Sequence, residues 1–131
     1  MTGLDTNIIV RYLVQDDPVQ SAAATEIMEI RLTPENPGFI SVVAMVETFW
    51  VLDRAYGLTR HQIAAALEHM LQSETLAIEN EQEVFAAMMA LKKGNGSFAH
   101  ALIGALGTRA GCALTLTFDK TASKLPGFEL L

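Results

Sequence analysis

Basic residues and cysteines are both scarce in this sequence. Lysine and arginine together number 9 against 15 aspartates and glutamates, so the formal net charge is −6. This balance excludes proteins that bind nucleic acid mainly by broad neutralisation of phosphates, but not enzymes that meet nucleic acid through metal ions. The single cysteine, Cys112, excludes an internal disulfide framework and a cysteine-rich zinc module, and it fits a reduced, cytoplasmic setting.

Long apolar runs are also missing. The longest extends from Phe39 to Val46 and is interrupted by Ser41, whereas roughly 20 apolar residues are needed to span a bilayer. The first five residues contain no basic segment of the kind that begins a secretory signal. Of the 131 residues, 50% are apolar and 18% are charged. We therefore expect one domain over residues 1–131, with no membrane partner.

The sequence does contain an alternation of helix-capping residues and short apolar runs. Typical capping patterns predict helix starts at Asp17-Pro18, Ser41, Thr59, Asn80 and Ser97. Apolar and β-rich runs predict short strands at 39–40, 76–78, 114–118 and 128–131. This alternation indicates an α/β fold with a parallel sheet covered by helices on both faces. Because such sheets bind ligands beyond the carboxyl ends of their strands, polar residues at strand ends are the candidates for a site.

Three acidic residues stand beside apolar runs. Asp5 follows the first short strand, and Asp119 ends the run Leu114–Phe118. Glu47 lies within Val42–Leu52, an almost wholly apolar helix that we expect to be buried. Each has an ordinary alternative role, as a helix cap, a carboxylate paired with arginine or backbone N–H groups, or a turn residue. Convergence at one sheet edge favours a cation, because packed carboxylates repel each other and hard oxygen ligands suit Mg²⁺ or Mn²⁺.

The chain resembles the PIN-domain family in four segments, which are Gly3–Asn7, Val46-Glu47, Phe98–Ile103 and Thr117–Asp119. The resemblance is closest to the VapC-type toxin ribonucleases of bacterial toxin–antitoxin pairs, and it covers nearly the whole chain. It implies a three-layer α/β fold whose central, mostly parallel sheet has about four or five short strands flanked by helices. It also implies a cytoplasmic, Mg²⁺- or Mn²⁺-dependent endoribonuclease that cleaves RNA as a toxin. Such proteins form homodimers, are inhibited by a cognate antitoxin, and meet DNA only indirectly through that antitoxin.

The same resemblance implies that Asp5, Glu47 and Asp119 are catalytic residues and metal ligands. Many family members carry a further aspartate where this chain has His100, and another acid where it has Ser97. His100 either binds the metal as a neutral imidazole, which suits Mn²⁺ better than Mg²⁺, or has lost the ligand role. Ser97 lies three residues earlier on the same helix face, so we expect it near the site if His100 points there.

Four other residues are weaker candidates. The resemblance implies that Asn7 orients the first of these aspartates, although it also suits a helix start. Thr117 shares a strand face with Asp119 and is expected to touch the same site, although β-propensity alone explains it. Arg11 and Lys120 are candidates for contacts with RNA phosphates, although most such residues are simply solvated.

Two other functions remain open. A PIN-like protein with weakened or lost catalysis would act by binding an antitoxin or another partner, and His100 and Ser97 favour this alternative. A receiver-type phosphotransferase domain with Asp5 as nucleophile is disfavoured, because no second acid stands beside Asp5.

The apolar helix that begins near Ser41 also predicts an assembly. Phe49, Trp50 and Leu52 cannot all face one core. We therefore expect a second copy or an antitoxin segment to cover part of this helix, unless neighbouring helices of the same chain do so.

Overall fold

The computed structural model describes residues 1–131, which form six α-helices and five short strands. Every strand pair is parallel, so the predicted α/β class is confirmed. The chain folds into two compact units, Met1–Glu79 and Asn80–Leu131. The strands are hydrogen-bonded as one ladder of three and one ladder of two. No helix has both the length and the apolar character needed to cross a membrane.

The first unit builds a three-stranded parallel sheet from widely separated segments. Its elements are β1 (Thr2–Gly3), α1 (Thr6–Val14), α2 (Pro18–Glu26), β2 (Gly38–Ile40), α3 (Val42–Arg54), α4 (Arg60–Gln72) and β3 (Leu76–Ile78). A π-helical turn, Ile27–Arg31, continues α2, and β2 is the middle strand of the sheet. The core contains Ile40 of β2, and the fully buried side chains of the helices include Ile9, Met45, Leu52 and Leu67.

Helix α3 begins where its capping residue predicts. The Ser41 hydroxyl accepts a hydrogen bond from the backbone N–H of Ala44 at 3.1 Å, which satisfies one otherwise unpaired donor of the first turn. Phe49 and Leu52 are buried, whereas the Trp50 residue is 61% exposed. The expectation that these three side chains cannot share one core is therefore confirmed, and Trp50 is the one that faces outward.

The second unit pairs two helices with a two-stranded parallel ladder. Its elements are α5 (Glu81–Lys93), α6 (Phe98–Arg109), β4 (Thr115–Thr117) and β5 (Phe128–Leu130). Helices α5 and α6 pack along each other, with buried side chains such as Val84, Met88 and Leu102. Gly104 of α6 is required by a close approach, since a Cβ atom there would collide with the ring of Phe128. This contact seats β5 against α6.

The cap predicted at Asn80 is not formed. Asn80 precedes α5, but its φ is 52° and its side chain makes no hydrogen bond to the helix backbone. Its Nδ2 instead lies 3.5 Å from Oε1 of Glu83, a carboxylate that also accepts a 2.8 Å hydrogen bond from Arg109. Glu83 is only 7% exposed, and a carboxylate at that depth needs such partners.

A hydrogen-bonded network joins α1, the following loop and Tyr56, two residues beyond the end of α3. Nη1 of Arg11 donates to Asp16 at 3.2 Å and to the Tyr56 hydroxyl at 3.0 Å. The Tyr56 hydroxyl donates to the other oxygen of Asp16 at 2.7 Å. This bond from Tyr56 is the main cause that lowers the pKa of Asp16, and the charge of Arg11 acts in the same direction.

The network predicts a pH-dependent contribution to stability. Because the pKa of Asp16 is lower in the folded chain, its contribution is complete above the unfolded pKa and is lost as pH falls through the folded pKa. Tyr56→Phe should therefore lower the free energy of unfolding at about pH 7, and the difference from wild type should shrink below about pH 4. Urea unfolding at several pH values measures this difference.

Tyr12→Phe is the matched control, because it removes a hydroxyl that bonds Glu29 and not Asp16. A Tyr56→Phe effect that stays the same down to about pH 2 would contradict the assigned role of Asp16.

Candidate functional site

Parallel pairing brings three polar residues to one edge of the first unit's sheet. Leu4 N–H donates to Phe39 O at 2.9 Å, and Glu79 N–H donates to Ile40 O at 3.0 Å. Ser41 and Glu79 directly follow β2 and β3, and Asp5 is the second residue after β1. This is the edge at which open parallel sheets bind ligands.

Asp5 carries an unpaired carboxylate at this edge. It occupies the N-cap position of α1, with extended backbone angles, yet its side chain makes no capping hydrogen bond. The residue is exposed, and its side chain has no hydrogen-bond or ion-pair partner in the chain. Asn7, also exposed, makes no hydrogen bond to it. Asp5 therefore occupies a capping position in the chain, but its carboxylate does not form the cap.

The expectation that Glu47 is buried was wrong. Thr48 and Phe49 take the inward positions of this turn of α3, and Glu47 is exposed on the outward side. It lines an open groove of about 480 Å³ together with Val42, Val43, Val46 and Trp50. Its carboxylate has neither an arginine nor a backbone N–H partner, so the ordinary role of a paired structural acid does not apply.

Sequence reasoning missed Glu79. Its Oε1 accepts a 2.8 Å hydrogen bond from the backbone N–H of Val42, so this carboxylate helps to cap α3, where the helix dipole favours negative charge. The available signal was an acid directly after the run Leu76–Ile78, the same pattern that singled out Asp5. Glu79 thereby ties the end of β3 to the helix that presents Glu47.

In the second unit, Thr117 and Asp119 form a hydrogen-bonded turn after β4. The Asp119 N–H donates to Thr117 Oγ1 at 3.0 Å, and Asp119 Oδ1 accepts from the Ala122 N–H at 2.7 Å. One carboxylate oxygen is therefore engaged in the turn that starts the 3₁₀ segment Ala122–Lys124. The exposed carboxylate keeps its second oxygen for a further ligand.

Ser97 and His100 contact each other at the start of α6. Ser97 Oγ accepts from the His100 backbone N–H at 3.1 Å and lies 3.1 Å from His100 Nδ1. Two proton arrangements satisfy the second contact. If Nδ1–H donates to the hydroxyl, Nε2 keeps a lone pair for a ligand; if the hydroxyl donates to Nδ1, Nε2 carries the proton instead.

The two basic candidates differ in whether the side chain already has hydrogen-bond partners within the chain. Arg11 is fixed by Asp16 and Tyr56, and its Nε donates to Gln20 at 2.8 Å, so its charge is already paired. Lys120 is exposed, and only its backbone carbonyl is engaged, by the hydroxyl of Ser123. Of the two, Lys120 has the side chain available for a phosphate.

The donors present fit a hard divalent ion by their chemistry. No group of three or more His, Cys, Asp or Glu side chains forms a ready-made cage for a metal. Mg²⁺ rarely uses such a cage, since it commonly keeps several waters and takes one or two carboxylates together with substrate phosphates. In the first unit the unpaired carboxylates of Asp5 and Glu47 are oxygen donors of this kind, and in the second unit Asp119 keeps one oxygen free.

A family model described as the PIN domain matches residues 4–127 of this chain. The match includes all nine residues that the sequence singled out, which are Asp5, Asn7, Arg11, Glu47, Ser97, His100, Thr117, Asp119 and Lys120. Searches of curated proteins and of solved structures found no match.

Removal of the Ser97 hydroxyl should destabilise α6. Ser97→Ala should cost about 1 kcal/mol of unfolding free energy, a typical value for the loss of a helix cap. Ser97→Thr, which keeps the hydroxyl, should cost less. Denaturant unfolding of both variants checks this expectation, and an equal loss in both would contradict a capping role for the hydroxyl.

Proposed function

Because the chain belongs to the PIN-domain family, whose members are typically nucleases and therefore hydrolases, we propose that it is a metal-dependent endoribonuclease. It acts as the toxin of a toxin–antitoxin pair and cleaves RNA. The observation that carries this proposal is the pair of exposed, unpartnered carboxylates on Asp5 and Glu47 in the first unit. Purely structural acids in this chain, such as Glu83 and Asp16, are satisfied by internal partners.

In this proposal Asp5, Glu47 and Asp119 hold Mg²⁺ or Mn²⁺, and His100 contributes through Nε2. When bound, such an ion supplies an activated water and neutralises charge on the attacked phosphate. The protein's part is to present oxygens without internal partners, both of Asp5 and Glu47 and one of Asp119, because an engaged oxygen would first have to be released. Thr117 holds the backbone of Asp119, and Lys120 meets an RNA phosphate.

The alternative is a PIN-like protein whose catalysis is weakened or lost and which acts by binding an antitoxin or another partner. It is favoured by the imidazole at position 100, which replaces a carboxylate and already contacts Ser97. Cleavage of a mixed RNA pool separates the two functions. Cleavage that EDTA abolishes and Mn²⁺ restores supports the nuclease, and no cleavage with either metal supports the alternative.

The proposed partners are the RNA substrate, a cognate antitoxin and a second copy of the chain, with DNA reached only through the antitoxin. Large apolar side chains at the surface of the second unit support a protein partner. Leu116 is 54% exposed, Phe118 83% and Leu130 44%, and apolar surface of this kind is typical of interaction sites.

The metal assignment is tested by calorimetry with Mn²⁺. Wild type should bind the ion, and the Asp5→Asn, Asp119→Asn double variant should bind it at least about tenfold more weakly, because two anionic ligands are lost. Glu74→Gln is the control: it removes one charge just before β3, at the opposite end of that strand from the candidate edge. Equal affinity of wild type and the double variant would refute the assignment.

His100→Asp tests position 100 directly. The change adds a hard oxygen ligand, so it should raise Mg²⁺-dependent RNA cleavage, while wild type should work poorly with Mg²⁺ and better with Mn²⁺. Cleavage of one RNA pool with each metal at about pH 7.5, where free histidine is mostly neutral, measures this. His61→Asp adds the same charge at an exposed position of α4 and should not raise activity. Strong wild-type activity in Mg²⁺ with no gain in His100→Asp would show that the site does not depend on this residue.

A further inference from the structure

The outward face of α3 combines an aromatic side chain with two opposite charges. Val43, Glu47, Trp50 and Arg54 are spaced by four, three and four residues, so they lie in one row along the helix. All four are exposed: Val43 by 76%, Trp50 by 61% and the side chain of Arg54 by 70%. We name this row the α3 stripe; Val43, Glu47 and Trp50 also line the open groove.

We propose that the α3 stripe binds one unstacked nucleotide of single-stranded RNA, with its base against Trp50 and its phosphate on Arg54. The proposal rests on the proposed nuclease function and names a substrate contact for it. An exposed indole is a stacking surface for any base. Glu47 lies about one helical turn from Trp50, so a base bound there is placed beside a candidate ligand of the metal.

Charge along the stripe fits a nucleotide. Arg54 has one acidic partner, Asp53, at 3.7 Å, and both side chains are more than half exposed. Such a surface pair is weak in water, so the guanidinium is available to a phosphate, which it can bind through two hydrogen bonds. At the other side of Trp50, the Glu47 carboxylate accepts hydrogen bonds from base N–H groups or binds the metal.

The groove is formed by a single helix. Its lining comes from five residues of α3, Val42, Val43, Val46, Glu47 and Trp50. One base and its phosphate can be bound by this helix alone, whereas a stable protein–protein interface, with about 20 to 30 residues on each side, would also have to engage neighbouring elements.

Trp50 is the single tryptophan of the chain, so tryptophan emission, excited selectively over that of the two tyrosines, reports on this site alone. Wild type is titrated in EDTA with a short single-stranded oligoadenosine RNA, and then with a ribose–phosphate chain of the same length that lacks bases. The oligoadenosine should quench the emission of Trp50 in a saturable manner, because a base stacks on the indole. The abasic chain should quench it little at the same concentration.

Variants assign the contacts. Trp50→Ala should weaken binding of labelled oligoadenosine about tenfold, and Trp50→Phe should recover part of the loss, since a phenyl ring still stacks. Arg54→Gln should reduce the slope of log affinity against log salt by about 0.7, the value for one phosphate contact on a single strand. Phe85→Ala removes a 51% exposed aromatic residue of α5 and should leave affinity unchanged.

The outcomes separate this inference from the proposed function. Unchanged RNA affinity in a folded Trp50→Ala variant, or no quenching in wild type, overturns the inference even if wild type cleaves RNA. Trp50 emission that changes with protein concentration alone, before RNA is added, assigns the stripe to a second copy and also overturns it. Base-dependent quenching without any metal-dependent cleavage supports the nucleotide site and refutes the nuclease.

Discussion

The parallel pairing of β1, β2 and β3 is the constraint on which the candidate site of the first unit depends. These strands are only two or three residues long, yet their register aligns Gly3 with Phe39 and Phe39 with Ala77. The chain beyond each strand must then leave the sheet at the same edge. Asp5 and Glu79 stand at that edge directly, and α3 starts there and carries Glu47 in its second turn.

Capping interactions fix the direction in which α3 leaves the sheet. Its first turn is held by the Ser41 hydroxyl and by the Glu79 carboxylate, which bond the N–H groups of Ala44 and Val42. With the helix anchored at this end, the buried Phe49 and Leu52 set its rotation. That rotation leaves Glu47, Trp50 and Arg54 on the outward side, where the nuclease proposal and the nucleotide site both need them.

The acids of this chain divide by whether they have partners inside the protein. Asp16, Glu79 and Glu83 are each bonded by another group of the chain, and each stabilises a local structure. Asp5 and Glu47 have no such partner, and Asp119 has one oxygen engaged. Several other exposed acids also lack a partner, so what distinguishes Asp5 and Glu47 is their position, at a sheet edge and on an apolar groove.

The sequence by itself determined the element types, most of the caps and the acids at strand ends, because capping chemistry and hydrophobic runs are local properties. It placed Ser41, Thr59 and Ser97 correctly at helix starts, and it singled out Asp5 and Asp119. Only the tertiary structure decided that Glu47 faces outward. It also decided that the Asn80 side chain hydrogen-bonds Glu83 instead of capping its own helix, and that Glu79 caps α3. Those outcomes depend on which face of a helix meets the core and on partners distant in sequence, such as Val42 and Glu79, which are 37 positions apart. Long-range contacts of this kind leave no local pattern, because each residue alone is compatible with several partners.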